Sequence, residues 1–231
     1  MKNALFEPFK GFSEETLLFL KELGYNNNQI WMDENRDRYY EHVSGKFKSL
    51  VAAMVPHMLS IDPGFEITPR VGKTISRINR DTRFSHNKLP YRNNVWITFK
   101  TRGENWWTAP CYFFELYTDH YRYGMGYYSP TKNTMDNLRE YILDKPAKLR
   151  KLIRPIMEDG RFLAEGDEYK RKPAADIPED LYHWYQKKDL FFATYRPIDE
   201  LLFTPQLVDV MLKDFDMLKP MYEFMWSLVE V

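Results

Sequence analysis

Residues 95–128 read VWITFKTRGENWWTAPCYFFELYTDHYRYGMGYY, and this stretch decides the fold class. Val95, Ile97 and Phe99 alternate with Trp96 and Thr98, which puts three apolar side chains on one face of a strand. Pro110 to Thr118 and Tyr121 to Tyr128 read as two further strands, rich in the aromatic residues that pleated surfaces favour. Asp119-His120 joins them as a tight hairpin. Upstream, Val71, Lys73, Ile75 and Arg77 alternate with Gly72, Thr74, Ser76 and Ile78, and this predicts a strand there as well. Sequential strands with short links pair as neighbours, so the expectation is an antiparallel sheet. Trp106-Trp107 and the tyrosines at 112, 117, 121, 123, 127 and 128 crowd this region. They serve as sheet core and cross-strand pairs, or on a sharper reading present a stacking platform for a base or sugar.

On both sides the period becomes helical. Ser13 caps a first helix with Leu17, Leu20 and Leu23 on one side and Gly24 as its stop. Asn28 caps a second, longer helix, along which Phe47, Leu50, Val51, Met54, Val55, Met58 and Leu59 form an apolar stripe. Gly45 bends or divides that helix, and Pro56 implies a kink unless the helix has ended. Beyond the strands, Asn137 to Leu143 belongs to a helix. Asp144 caps the next, with Pro146 in its first turn and Pro155 limiting its length. Residues 158–177 read as loops with short strands at most, and Phe191 to Tyr195 as an edge strand. Thr204 and Pro205 open a final helix whose seam runs through Val208, Met211, Phe215, Leu218, Tyr222, Met225 and Val229, with a kink expected near Pro220. The expected architecture is a single α+β domain over residues 1–231, an antiparallel sheet of about four to six strands packed against N-terminal and C-terminal helices.

The 231 residues carry 33 Lys+Arg and 33 Asp+Glu, a formal net charge of zero. A histone-like polybasic protein is excluded, while a local basic patch is not. The hydrophobic fraction of 44% and charged fraction of 29% fit a globular chain and not a disordered one. Cys111, the single cysteine, has no internal partner, so a reducing, cytoplasmic setting is expected. Glu7, Pro8 and Lys10 interrupt the N-terminal stretch, and the apolar run from Leu17 to Leu20 is far too short for a bilayer. Neither a targeting segment nor membrane association is expected. Oligomeric state is not readable.

The residues with the most chemistry lie between Arg77 and Arg92, RINRDTRFSHNKLPYR. Arg77, Arg80, Arg83, Lys88 and Arg92 stand against one acid, Asp81, a net +4 with His86 neutral. Guanidinium forks suit phosphate and carboxylate because each offers paired donors in a plane. Ser85 and Asn87 add neutral donors, and Tyr91 or Phe84 can stack on a ring. The segment therefore predicts a binding site for an anionic ligand, a phosphorylated small molecule or nucleic acid. Two other readings stay open. Asp81 as base and Ser85 as nucleophile would make a phosphate-directed or ester-directed enzyme. Alternatively the arginines pair with the protein's own carboxylates and act as internal scaffolding.

Other constellations are weaker. Lys145, Lys148, Arg150, Lys151 and Arg154 make a second basic run, which most simply is a solvated helix face. The five histidines show no i, i+4 pair, so no metal site is expected. Gly124-Met125-Gly126 lacks the third glycine of a dinucleotide fingerprint, and no P-loop or nucleophile elbow is present, so no cofactor is expected.

Asn27-Asn28-Gln29-Ile30-Trp31, with Asn35 and Tyr39 downstream, resembles the NNxxWF…N…Y opening of the domain of unknown function 2461 family. Residues 77–92 are similar to that family's RIxRDxRFSxDKxPYK signature. Gly126-Tyr127-Tyr128, Pro130, Leu138-Arg139 and Ile142 are similar to its GxYxP…LRxxI stretch. Met32 stands where the family usually has Phe, Asn87 where it has Asp, and Arg92 where it has Lys. The missing carboxylate at position 87 counts against a mechanism that needs an acid there. The resemblance implies a fold and a hot segment and carries no established activity. Because the family pairs the NN…W element with the arginine segment, it adds Trp31 to Tyr91 as a residue expected to shape the pocket.

Overall fold

A computed structural model describes residues 7–170 and 176–229. Helices α1 (Glu14–Tyr25), α2 (Gln29–Glu34), α3 (Arg36–Arg38) and α4 (Gly45–Ile61) come first, with a π-helical turn at Tyr39–Ser44 ahead of α4. Strands β1 (Val95–Phe99), β2 (Pro110–Leu116) and β3 (His120–Tyr127) follow. Then come α5 (Lys132–Asp144), α6 (Pro146–Asp159), β4 (Leu163–Glu165), α7 (Tyr182–Gln186), β5 (Phe191–Pro197) and α8 (Gln206–Ser227). The five strands form one open antiparallel sheet in the order β1-β2-β3-β5-β4, an α+β fold. No described helix is long and apolar enough to cross a membrane.

The helix starts follow from local chemistry. Ser13 caps α1 and is answered by Thr16 in a reciprocal capping box. Gly24 does not stop this helix. It runs one residue further, to where Asn26 donates both its backbone and side-chain N–H to Glu22 O at 2.9 and 3.0 Å. Asn28 caps α2, its Oδ1 accepting from Trp31 N at 3.0 Å. The long helix expected after it is broken into pieces, and the π turn makes the last break. One carbonyl of that turn, His42 O, is taken by the Thr16 hydroxyl of α1 at 2.7 Å, which satisfies a backbone acceptor that the irregular turn leaves over.

Pro155 does not limit α6, which continues to Asp159. Pro56 and Pro220 likewise sit inside α4 and α8. All three prolines are exposed, so each sits on the outward side of its helix and away from the buried stripe. In α6 the buried stripe of Leu149, Ile153 and Ile156 continues past the proline, and that burial outweighs a cost of about 3 kcal/mol. Asp144 is the last residue of α5 rather than a cap, and Lys145 precedes α6 without a side-chain cap.

Two strand expectations are corrected. Residues 71–78 are not a strand: Gly72 turns the chain at φ 82°, Gly72 N donates to Ile75 O at 2.8 Å, and only isolated bridges remain. The alternating pattern reflects a short run, residues 74–76, laid against β1. Ser76 N bonds Trp96 O at 2.9 Å and Thr98 N bonds Thr74 O at 2.8 Å. The strand β5 is interior, lying between β3 and β4, and the short β4 forms the edge.

The chain divides into two compact units. The first comprises Met1–Phe99, Phe113–Arg122 and Tyr195–Leu212. In it α4 packs on β1. Phe12 stacks on Phe114 at 5.7 Å and meets Phe47 at 5.0 Å. The second comprises Lys100–Tyr112, Tyr123–Thr194 and Lys213–Val231. Its core sets Tyr112 and Tyr123 against Phe215 of α8 at 4.7 and 6.2 Å. Gly124 and Gly126 belong to strand packing and not to a nucleotide loop, since a Cβ on Gly124 would lie 1.8 Å from Phe192 O and one on Gly126 2.3 Å from Phe191 Cα. Cys111 is buried, and burial pushes its thiol up to about 12, so it serves as a small core residue.

Candidate functional site

The arginine segment is a two-legged loop on the first unit. Its legs are held by Arg80 N donating to Pro90 O and Arg92 N donating to Ile78 O, both at 2.8 Å. Ile78 and Tyr91 are buried and root the legs in the core. The side chain of Asn27, in the turn between α1 and α2, grips the far leg with both ends of its amide. Its Nδ2 donates to Tyr91 O at 3.0 Å and its Oδ1 accepts from Tyr91 N at 2.9 Å. Short local bonds shape the tip: Asp81 Oδ1 accepts from Arg83 N at 3.1 Å, Asn87 Oδ1 from Leu89 N at 3.0 Å, and Thr82 O from Lys88 Nζ at 2.8 Å.

Between the near leg and β1 lies an open cleft of about 570 Å³, a size typical of small-ligand sites. Arg77, Arg80, Arg83 and Arg92 supply its cations, Asp81 its one acid and Trp96 a wall, with Asn79 and Thr82 between them. Four guanidinium groups against one carboxylate leave the cleft strongly electropositive.

Pairing within the cleft is uneven. Arg83 is bound to Asp81, donating from Nη2 at 2.7 Å and from Nε at 3.0 Å, with both side chains exposed. The hydrogen bonds from Arg83 hold the Asp81 carboxyl down at about 2. Among the described residues Arg80 reaches only Leu89 O and Ser85 Oγ, each at 3.4 Å. Arg92 lies over the Trp96 ring at 5.1 Å, and its Nε is shielded from solvent without an acceptor. Among the described residues, Arg77, Arg80 and Arg92 meet no carboxylate. The α6 run behaves differently, since Arg150 pairs with Asp180 and Arg154 with Glu158, both at 2.7 Å, and Lys145 with Asp144 at 3.1 Å.

The structure thus brings together Arg77, Arg80, Arg83, Arg92 and Asp81 of the residues singled out from sequence. Lys88 stays on the far leg, outside the cleft lining. Tyr91 is an anchor with 7% exposure. Trp31 is half-buried against Phe19 at 5.4 Å and does not line the cleft. Ser85 accepts from Arg80 and has no histidine or lysine base bonded to it among the described residues. A carboxyl held near 2 is a poor general base at neutral pH, because the effective base titrates near the working pH.

Trp96 and Asn27 belong to the cleft and its loop without being singled out by the sequence as site residues. For Trp96 the signal was present in the alternation of β1, whose Val95, Ile97 and Phe99 are buried while Trp96 points to the opposite face. For Asn27 it lay in the family-like NN…W opening, whose first asparagine serves the loop while the second caps α2.

A family model described as "Conserved hypothetical protein (DUF2461)" matches residues 15–224, a span that includes Asn27, the whole loop and Trp96. No curated protein matches the chain.

Proposed function

We propose that this chain, which belongs to the DUF2461 family, is a binding module for a phosphate-bearing anion seated among Arg77, Arg80 and Arg92. The observation that carries the reading is the absence, among the described residues, of any carboxylate partner for these three guanidinium groups in one open cleft. Guanidinium groups offer planar paired donors, and phosphate oxygens accept them bidentately. The unused Nε of Arg92 supports the same reading, because it marks a guanidinium whose donors the protein's own acceptors do not fill. The Arg92 guanidinium lies over the Trp96 ring, a cation–π contact that restrains the donor fork before the ligand arrives.

The test is thermal denaturation with and without inorganic phosphate and pyrophosphate. Ligand at about a hundred times its Kd stabilises the folded state by about 2.7 kcal/mol, a readily measured rise in melting temperature. Arg80→Ala removes only two long hydrogen bonds, so the unliganded melting temperature stays near wild type while the ligand-induced rise disappears. A large fall in the unliganded melting temperature would instead assign the arginines to scaffolding.

A further inference from the structure

The loop carries more than one phosphate can use. Phe84 stands at its tip with 94% of its surface exposed, the highest of any large apolar side chain among the described residues. Single exposed apolar residues are ordinary on protein surfaces, and what distinguishes this one is its setting. The guanidinium of Arg83 lies 5.8 Å from the ring centroid, and Lys88, on the opposite leg, meets no acid among the described residues. The tip is internally bonded, with Ser85 N donating to Thr82 O at 3.3 Å and Lys88 Nζ to the same carbonyl at 2.8 Å. The ring is therefore held out into water by an ordered turn.

Lys88 and Phe84 both lie outside the cleft lined by Arg77, Arg80 and Arg92. A ligand that engages cleft and tip together must be extended, must carry several negative charges, and must offer a flat apolar face. We propose that the ligand of this site is a single-stranded nucleic acid, with one phosphate among Arg77, Arg80 and Arg92, the strand running past Arg83 and Lys88, and a base stacked on Phe84. This rests on the phosphate-binding reading above and names the class of ligand for the same site. Cations that follow a backbone, interleaved with an exposed aromatic that takes a base, are the general means of holding a single strand. A duplex hides its base faces in the stack and leaves Phe84 nothing to cover. An anionic membrane suits the site less well. One phenyl ring buries far less apolar surface than an acyl chain, and a single acyl chain itself anchors only marginally.

Fluorescence anisotropy with a labelled oligothymidylate of about 12 nucleotides, within the range of single-strand site sizes, tests this. Wild-type affinity should fall about 50-fold between roughly 50 and 200 mM salt if about four phosphates are neutralised. Phe84→Ala, at a side chain with almost no intramolecular burial, keeps the wild-type melting temperature. It should weaken oligonucleotide binding roughly tenfold, the scale of one lost stacked base, and leave binding of inorganic phosphate and pyrophosphate unchanged. Equal oligonucleotide affinity in Phe84→Ala and wild type would overturn the inference, as would a preference for a duplex of the same sequence or for phosphatidylserine vesicles. Binding of pyrophosphate without binding of the oligonucleotide sinks this inference and leaves the phosphate site standing. Binding of neither removes both.

Discussion

Asn27 and Tyr91, 64 residues apart, are joined by two hydrogen bonds that use both ends of the asparagine amide and both polar groups of the tyrosine backbone. The far leg is bonded to the near leg along one edge, and the pair takes up the Tyr91 backbone groups on its other edge. The pair also ties the asparagine-rich turn near the N-terminus to the arginine segment.

Asn27→Ala removes donor and acceptor together and leaves the buried Tyr91 backbone to find other partners. Stability should fall by about 1–3 kcal/mol, and amide exchange at Arg80, Tyr91 and Arg92 should quicken ahead of global unfolding. Asn27→Asp keeps the acceptor for Tyr91 N and should fall between the two. Unchanged exchange in the alanine variant would show that the legs hold each other without the clamp.

Asp81 and Arg83 give a pH signature. The Arg83 guanidinium depresses the carboxyl to about 2, below an unfolded value of about 3.9. The pairing therefore favours the folded loop at every pH above that ordinary value, and the benefit is lost as the pH falls through about 2. Both groups are exposed, so global stability barely registers the change. The carboxyl resonance of Asp81 should titrate with a midpoint near 2, and near the ordinary aspartate value in Arg83→Ala. Asp81→Asn releases Arg83 and should tighten phosphate binding. Weaker binding in that variant would mean the carboxylate contacts the ligand productively.

Much of this was legible in the sequence, and the failures have local causes. Ser13 and Asn28 announce their helices because a polar cap is a one-residue decision. The strands β1, β2 and β3 announce themselves through alternation and a hairpin. The false strand at residues 71–78 arose because alternation was read through Gly72, whose left-handed φ breaks the ladder. Pro155 misled because a propensity argument cannot weigh a buried stripe that continues past it. The position of β5 inside the sheet depends on the short β4 covering its edge, and three residues carry too little pattern to be seen. In the site, the arginines were legible as a run of charge. Which of them lack acids was not, since that depends on where the carboxylates of distant segments fall.

In the second unit, Asp214 is 1% exposed and accepts from the Tyr123 hydroxyl at 2.7 Å while also pairing with Arg161. Arg161 keeps 43% of its side chain exposed, so removing the acid does not strand a buried cation. Asp214→Ala should cost about 1–3 kcal/mol, the scale of an unsatisfied buried hydroxyl, and not the larger loss of a broken buried ion pair. Tyr123→Phe, which leaves the Arg161 pair intact, should cost less. Chemical denaturation of the two variants separates these terms, and a larger loss in Tyr123→Phe would contradict the assignment.

The central claim is that Arg77, Arg80 and Arg92 present unpaired guanidinium groups to an anion. A crystal grown with tungstate, a heavy analogue of phosphate, reads this directly through its anomalous signal. The account predicts one strong peak in the cleft beside Trp96, within hydrogen-bonding distance of those three side chains. A cleft without a peak, with the three guanidinium groups turned onto carboxylates of the protein, would contradict it.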